Sequence, residues 1–421
     1  MLSTSPRHVT PVVMQHVEEA AVLRSTRTTL VKAPHVKLHH LRRLDNRLIA
    51  HLDGIAVAGE YGAHLGEAAL ASPGAGEVFV SAVGAIESNH ISHLHKLFSL
   101  AEAIPEAQPG LLSAFGWVSA QHLQGITKEL LASANPLRRM VGIAACAMHR
   151  LDPGRALDAA LSDPDPALRA RALRAAGQLG RRDLLAASVN LLSDEDARCR
   201  FRAAWSAVLL GERASAVEAL VASIHAPGPF RDRALQLTLK LLDGAAAHAL
   251  LKQLARDQKE IRALIRGSGI SGNPAFVPWL IKQMGDDKLA RIAGESFSLI
   301  TGTDLAWLDL ERKPPENFES GPNDDPNDDD VGMDEDDGLP WPDSARVQAW
   351  WDGNSHLFDS KMRYFMGAAV TMEHCITVLK EGYQRQRIAA AEYLCLLHPG
   401  TILFNTAAPA WRQQRWLAKM A

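Results

Sequence analysis

A chain of 421 residues that is 47% hydrophobic but only 6% aromatic favours small-residue helix packing over a β-sandwich core, and its length suits two or three ordinary domains or one repeat array. A net charge of −3 with a pI near 6.6 gives no reason to expect nucleic acid as a partner. Cys146, Cys199, Cys375 and Cys395 stand far apart with no C-x-x-C pair, which argues against a zinc ribbon or redox motif and leaves reduced core thiols as the expectation.

The N-terminus lacks the uninterrupted apolar stretch of a signal peptide. No later segment approaches the 18 or so uncharged apolar residues of a membrane span, so a cytoplasmic chain with no membrane partner is expected. Leu38, Leu41, Leu44, Leu48 and Leu52 fall at helical spacing before Asp53-Gly54, and residues 1–134 read as atypical helical repeats forming a cap. His90 and His93 would share a helix face, a spacing that can serve a metal, with His95 close by and His35, His39 and His40 forming a second group. No cysteine or well-placed third histidine completes either set, so surface or half-buried histidines are the plainer reading.

Between 135 and 313 a turn signal followed by an apolar-periodic run recurs about every 30 residues, opening at Asn135, Asp163, Ser193 and Pro229. Asp or Asn caps each helix, Pro stands where its missing N–H costs little, and Gly180, Gly211 or Gly244 should end it. Leu168, Ala172, Ala175, Ala176 and Leu179 form an apolar stripe that leaves Arg169, Arg171 and Arg174 partly outward. The D-x-x-x-x-R-x-x-A-x-x-x-L-G pattern of HEAT repeats stands almost intact between Asp163 and Gly180. The expected fold is therefore all-α, an α-solenoid of HEAT-like helix pairs with a long acidic loop before its C-terminal helices. Gly267 to Gly272 spells G-x-G-x-x-G, but the flanking segments read as helices, so an inter-helix turn is expected there instead of a dinucleotide loop.

Residues 314–343 hold twelve acids and no Lys or Arg, leaving 36 of the 48 acids against 45 bases elsewhere, a body of about +9. Pro, Gly and Asp content makes this segment a surface loop. Asp325, Asn327, Asp329 and Asp336 fit positions 1, 3, 5 and 12 of a calcium loop, with the Val331 carbonyl at position 7. Asp330 replaces the required Gly and Asp336 the required Glu, so a solvated charge run is the favoured reading and no cofactor is expected beyond a weakly supported calcium. Trp341, followed by Trp350 and Trp351, should pin the loop or serve a partner as a hot spot. Residues 344–421 read as four short helices of closing repeats, whose Arg385, Arg387, Arg412 and Arg415 are candidate cations for the loop or for a partner.

The segments TGTDLAWLDL, GPNDDP, LPWPD, WWDGN and GYQRQRIAAAEYL, with LIAHLDG from Leu48 to Gly54, resemble a family of uncharacterised bacterial HEAT-repeat proteins associated with type VI secretion loci. The resemblance spans nearly the whole chain. It implies a protein-binding solenoid whose partner is a secretion effector or spike component, serving as adaptor, chaperone or immunity protein. No G-x-S-x-G elbow and no reactive cysteine setting is present, so no enzyme is expected. A lyase of the HEAT type and a purely structural scaffold are the alternatives.

Overall fold

A computed structural model describes residues 9–316, 318, 321 and 332–420. Their regular structure is almost entirely helical. Among them the only sheet is a hairpin of Tyr364–Phe365 with Ala368–Ala369, as the all-α reading requires. The chain forms two compact units: residues 1–32, 36–211 and 399–421 make the first, and 33–35 with 212–398 the second.

In the first unit the helices Ala75–Glu87, Gln108–Trp117, Pro136–His149, Pro166–Leu179 and Ala197–Leu210 pack each against the next. Shorter helices such as Ile126–Ala132, Arg155–Ala160 and Leu185–Asn190 pair with members of this row. The local cause is as the sequence suggests. Asn135, Asp165 and Asp196 each accept a hydrogen bond from the backbone N–H three residues on, satisfying a donor that the helix itself cannot. Leu168, Ala172, Leu173, Ala175 and Ala176 are fully buried. A leucine so placed contributes roughly 2 kcal/mol of transfer free energy, and alanines on the same stripe let neighbouring helices approach. The leucine-rich helix Leu38–Val57 packs beside Thr10–Leu30, and the latter against Ala75–Glu87.

The second unit repeats the pairing: Ser215–His225 with Arg231–Leu241, Gly244–Leu254 with Ile261–Ser271, and Val277–Gln283 with Asp287–Thr301. All four short helices expected beyond the acidic segment are present, at Ser344–Asn354, Met372–Glu381, Gln384–Leu397 and Ala410–Leu417. No described helix is long and apolar enough to cross a membrane. The four cysteines are buried and form no disulfide.

Several local expectations are corrected. Gly180 and Gly211 close their helices in the left-handed conformation, but Gly244 opens a helix behind the cap Asp243. Only the end of the G-x-G-x-x-G stretch is the expected turn, where Gly272 closes the helix in the left-handed conformation. Gly267 and Gly269 lie inside Ile261–Ser271, and a Cβ on Gly269 would come within 2.7 Å of the Ser296 Cα. Those glycines serve helix contact. The segments 1–134, 135–313, 314–343 and 344–421 follow composition, whereas the units follow contacts and divide at Gly211 and His398. Residues from Pro399 onward form no closing repeat: Ala410–Leu417 packs on Leu38–Val57 in the first unit.

Candidate functional site

Arginines recur at one position of successive repeats. Arg139, Arg169 and Arg200 are thirty or thirty-one residues apart, each three residues into its helix from the first residue. Arg139 bonds Asp163 at 2.7 Å, and Arg169 forks onto both oxygens of Asp194 at 3.0 and 2.9 Å. Asp163 and Asp194 also accept the backbone N–H of Asp165 and Asp196. One aspartate thus turns the chain and receives the preceding repeat's arginine. The Arg169 hydrogen bonds hold the Asp194 carboxyl below the usual carboxylate range despite its burial.

In the second unit Arg231 pairs with Glu260 at 2.8 Å, but the next two arginines of the series find their acids in the end of the acidic segment. Arg262 bonds Asp336 at 2.7 Å, Arg291 bonds Asp334 at 2.7 Å, and Arg266 bonds Glu335 at 3.2 Å. Arg385 donates to the Glu335 carbonyl at 2.7 Å and pairs with Glu295 at 2.9 Å. The loop's end does rest on cations, though Arg385 is the only one of them singled out in the sequence. The others sit on helices far upstream, where a neighbour-in-sequence argument does not reach.

Trp341 is buried, with the guanidinium carbons of Arg291 and Arg312 4.8 and 5.4 Å from its ring and Phe318 edge-on at 4.7 Å. Trp350 meets Phe297 edge-on at 5.6 Å, and the buried Trp351 leans on Phe358 at 5.4 Å. Trp341 and Trp351 are buried and Trp350 is half-buried. Arg387 is wholly buried, donating to the Leu379 carbonyl and to Gln384. Arg412 is buried, donating to the carbonyls of Gly116, Trp117 and Val118 in the first unit. Burial lowers both guanidinium groups to about 10. Only Arg415 is exposed, its guanidinium 4.6 Å from the Trp411 ring. Arg387 and Arg412 therefore hold the fold together instead of facing a partner.

Asp325, Asn327 and Asp329 lie outside the described residues, as does Val331. Asp336 is buried and its carboxylate is committed to Arg262. Of the histidines, His93 is buried against Ser81 at 2.7 Å and stacked on His90, while His95 points to solvent. Among the described residues no three His, Cys, Asp or Glu side chains gather as a metal site.

The first unit contains a pocket of about 400 Å³. Arg24 and Arg27 of Thr10–Leu30 and Arg171 and Arg174 of Pro166–Leu179 line it at i, i+3 spacing, joined by Lys32, with no Asp or Glu in the lining. Phe79, Leu112, Trp117 and Met148 supply an apolar wall, and residues 405–409 of the returning C-terminal segment complete it. Arg27 is occupied with Asp45 at 2.7 Å and with the carbonyls of Ala407 and Ala408. Arg24 donates to the neutral Ser113 hydroxyl and the Pro109 carbonyl. Arg171 forms no hydrogen bond or ion pair with any described residue, and enclosure by protein, with Arg174 beside it, lowers it to about 9. Sequence reasoning left Arg171 and Arg174 as outward residues. The signal available was a helix, PALRARALRAAGQL, with three arginines and no acid.

The comparisons with known proteins agree with the geometry. Residues 155–240 match a family model for HEAT repeats. That stretch is thus similar to HEAT repeats, in keeping with an all-α solenoid of helix pairs, and the Arg169–Asp194 pair lies within it. Among curated proteins, none matches it.

Proposed function

We propose that this chain is a protein-binding HEAT-repeat scaffold that serves as adaptor, chaperone or immunity protein for a type VI secretion effector, and that it catalyses no reaction. Stacked helix pairs are suited to interaction and scaffold roles because each pair adds surface without closing a core. The observation that supports a partner surface most directly is Trp307, which is 84% exposed just past the helix Asp287–Thr301 of the second unit, with Leu308 also exposed. Tryptophan is usually well buried, and it is enriched among the residues that dominate binding energy. The secretion context rests on the resemblance of the motifs around Trp307 and Trp341. The lyase alternative asks for acid and base side chains converging in a deep pocket, whereas the pocket of the first unit offers cations without a carboxylate.

Affinity purification of the tagged chain from its native host, with mass spectrometry of bound proteins, tests the reading. A secretion effector or spike component should be retained by the wild type and lost from a Trp307→Ala, Leu308→Ala variant of unchanged melting temperature. Retention of no protein, or equal retention by both, would count against it. Converting Asp324, Asp325, Asp328, Asp329 and Asp330 to Asn should also alter partner affinity and its salt dependence, because interface charge steers association. Unchanged affinity at low and high salt would make the acidic loop a bystander.

A further inference from the structure

We propose that the cationic pocket of the first unit is a binding site for a small organic anion carrying two or more closely spaced negative charges, of the phosphate or polycarboxylate class. Three observations carry this. The pocket brings together five cationic side chains and no carboxylate within about 400 Å³, the size range of small-ligand pockets. Of these, Arg171 lacks any described hydrogen-bonding or ionic partner. Arg171 is half-buried at the pocket wall with its donors unengaged by any described residue, and its five donors in a planar fork match a phosphate or carboxylate bidentately. Arg24, bonded only to neutral acceptors, faces the same space and keeps its positive charge uncompensated.

The apolar wall of Phe79, Leu112 and Met148 adds a second requirement. An isolated inorganic ion would leave that wall facing water, whereas an organic body attached to the charged groups would cover it. The returning segment contributes at Asn405, Ala407 and Ala408. It is held by Arg27 and Asp45, the latter accepting the Ala410 N–H at 2.7 Å. The site is therefore assembled from the start, the middle and the end of the first unit, and it stands independently of the protein-binding proposal above.

The test is thermal denaturation and calorimetric titration of the full chain with pyrophosphate and with citrate, against sodium chloride at matched ionic strength. Anion binding to the native state raises the melting temperature by linkage, so saturable single-site binding and a rise of several degrees over chloride are expected for one or both. Pyrophosphate alone acting would place the ligand among organic phosphates, and citrate alone among polycarboxylates. Arg171→Met should abolish the anion-dependent rise, while raising the melting temperature in anion-free buffer because repulsion from the neighbouring cations, Arg174 first, is relieved. Arg171→Lys should keep a weakened rise. If neither anion exceeds chloride, or if Arg171→Met keeps the full rise, the proposal falls. An Arg171→Met protein less stable than wild type without anion, yet responding equally to it, would assign Arg171 to packing and also overturn it.

Discussion

Asp194 shows how much one side chain carries in a repeat of this kind. Its carboxylate caps a turn through the Asp196 N–H and receives both arms of Arg169 while nearly excluded from solvent. Removing Arg169 leaves that charge without its partner, and Arg169→Ala should cost roughly 3 kcal/mol in chemical denaturation. The sign with pH follows from the lowered carboxyl: the stabilisation is complete above the ordinary carboxylate range and is lost as pH falls through the depressed value. The wild-type advantage over Arg169→Ala should therefore shrink in acid. His149 behaves as the converse case. Burial, reinforced by Arg412, lowers it to about 4 although its Nε2 lies 2.8 Å from the Phe115 carbonyl. Its unfolded form takes up a proton near pH 6.5 and its folded form only near 4, so stability should decline as pH falls across that window. His149→Gln should flatten the decline. A pH-stability curve identical to wild type would refute the assignment.

At the scale of elements, the left-handed helix ends decide where other segments lie. Gly180, at φ +66°, lets the Gly400 carbonyl approach so closely that a Cβ would collide with it, and Leu403 donates to the Gln178 carbonyl at 2.9 Å. In the second unit Gly272, at φ +67°, meets the Tyr364 carbonyl in the same way, and the Tyr364 N–H donates to the Gly272 carbonyl at 2.8 Å. Gly180 was legible as a helix stop and Gly272 only as part of a turn, and the second use of both, admitting another backbone, was not legible. Gly180→Ala should therefore cost more than the approximately 1 kcal/mol of a left-handed alanine, because the collision adds to it. Denaturant titration gives the value. A loss of under about 1 kcal/mol would mean that the return segment shifts freely.

For the whole molecule, the division into units makes an unexpected assignment of the C-terminus. Residues 399–421 belong to the first unit, held there by Arg412 on three carbonyls, by the Arg27–Asp45 pair, and by Arg150 beneath the Trp416 ring at 3.9 Å. A chain ending at His398 should thus lose hydrogen-exchange protection in the helices Thr10–Leu30, Gln108–Trp117 and Pro136–His149. Ile261–Ser271 and Asp287–Thr301 should keep theirs, since local stability follows local contacts. Equal loss in both sets would contradict the assignment.

Helix identity, the cap at Asn135, an acidic cap for the following helices and the repeat between Asp163 and Gly180 follow from the amino-acid sequence alone. Each depends on residues within one turn or one period, the range over which capping and amphipathic spacing act. For Trp341 the sequence left pinning and a partner hot spot both open, and its packing against Arg291 and Arg312 was not legible. Tertiary structure alone decided which arginines meet which acids and where the last twenty-three residues lie. It also decided that Arg24, Arg27, Arg171 and Arg174 share one pocket. Arg171 is 147 positions from Arg24, and no local rule encodes that distance. Their convergence comes from helix stacking driven by apolar burial, which is non-directional in sequence and carries whatever charges lie on the remaining faces into contact.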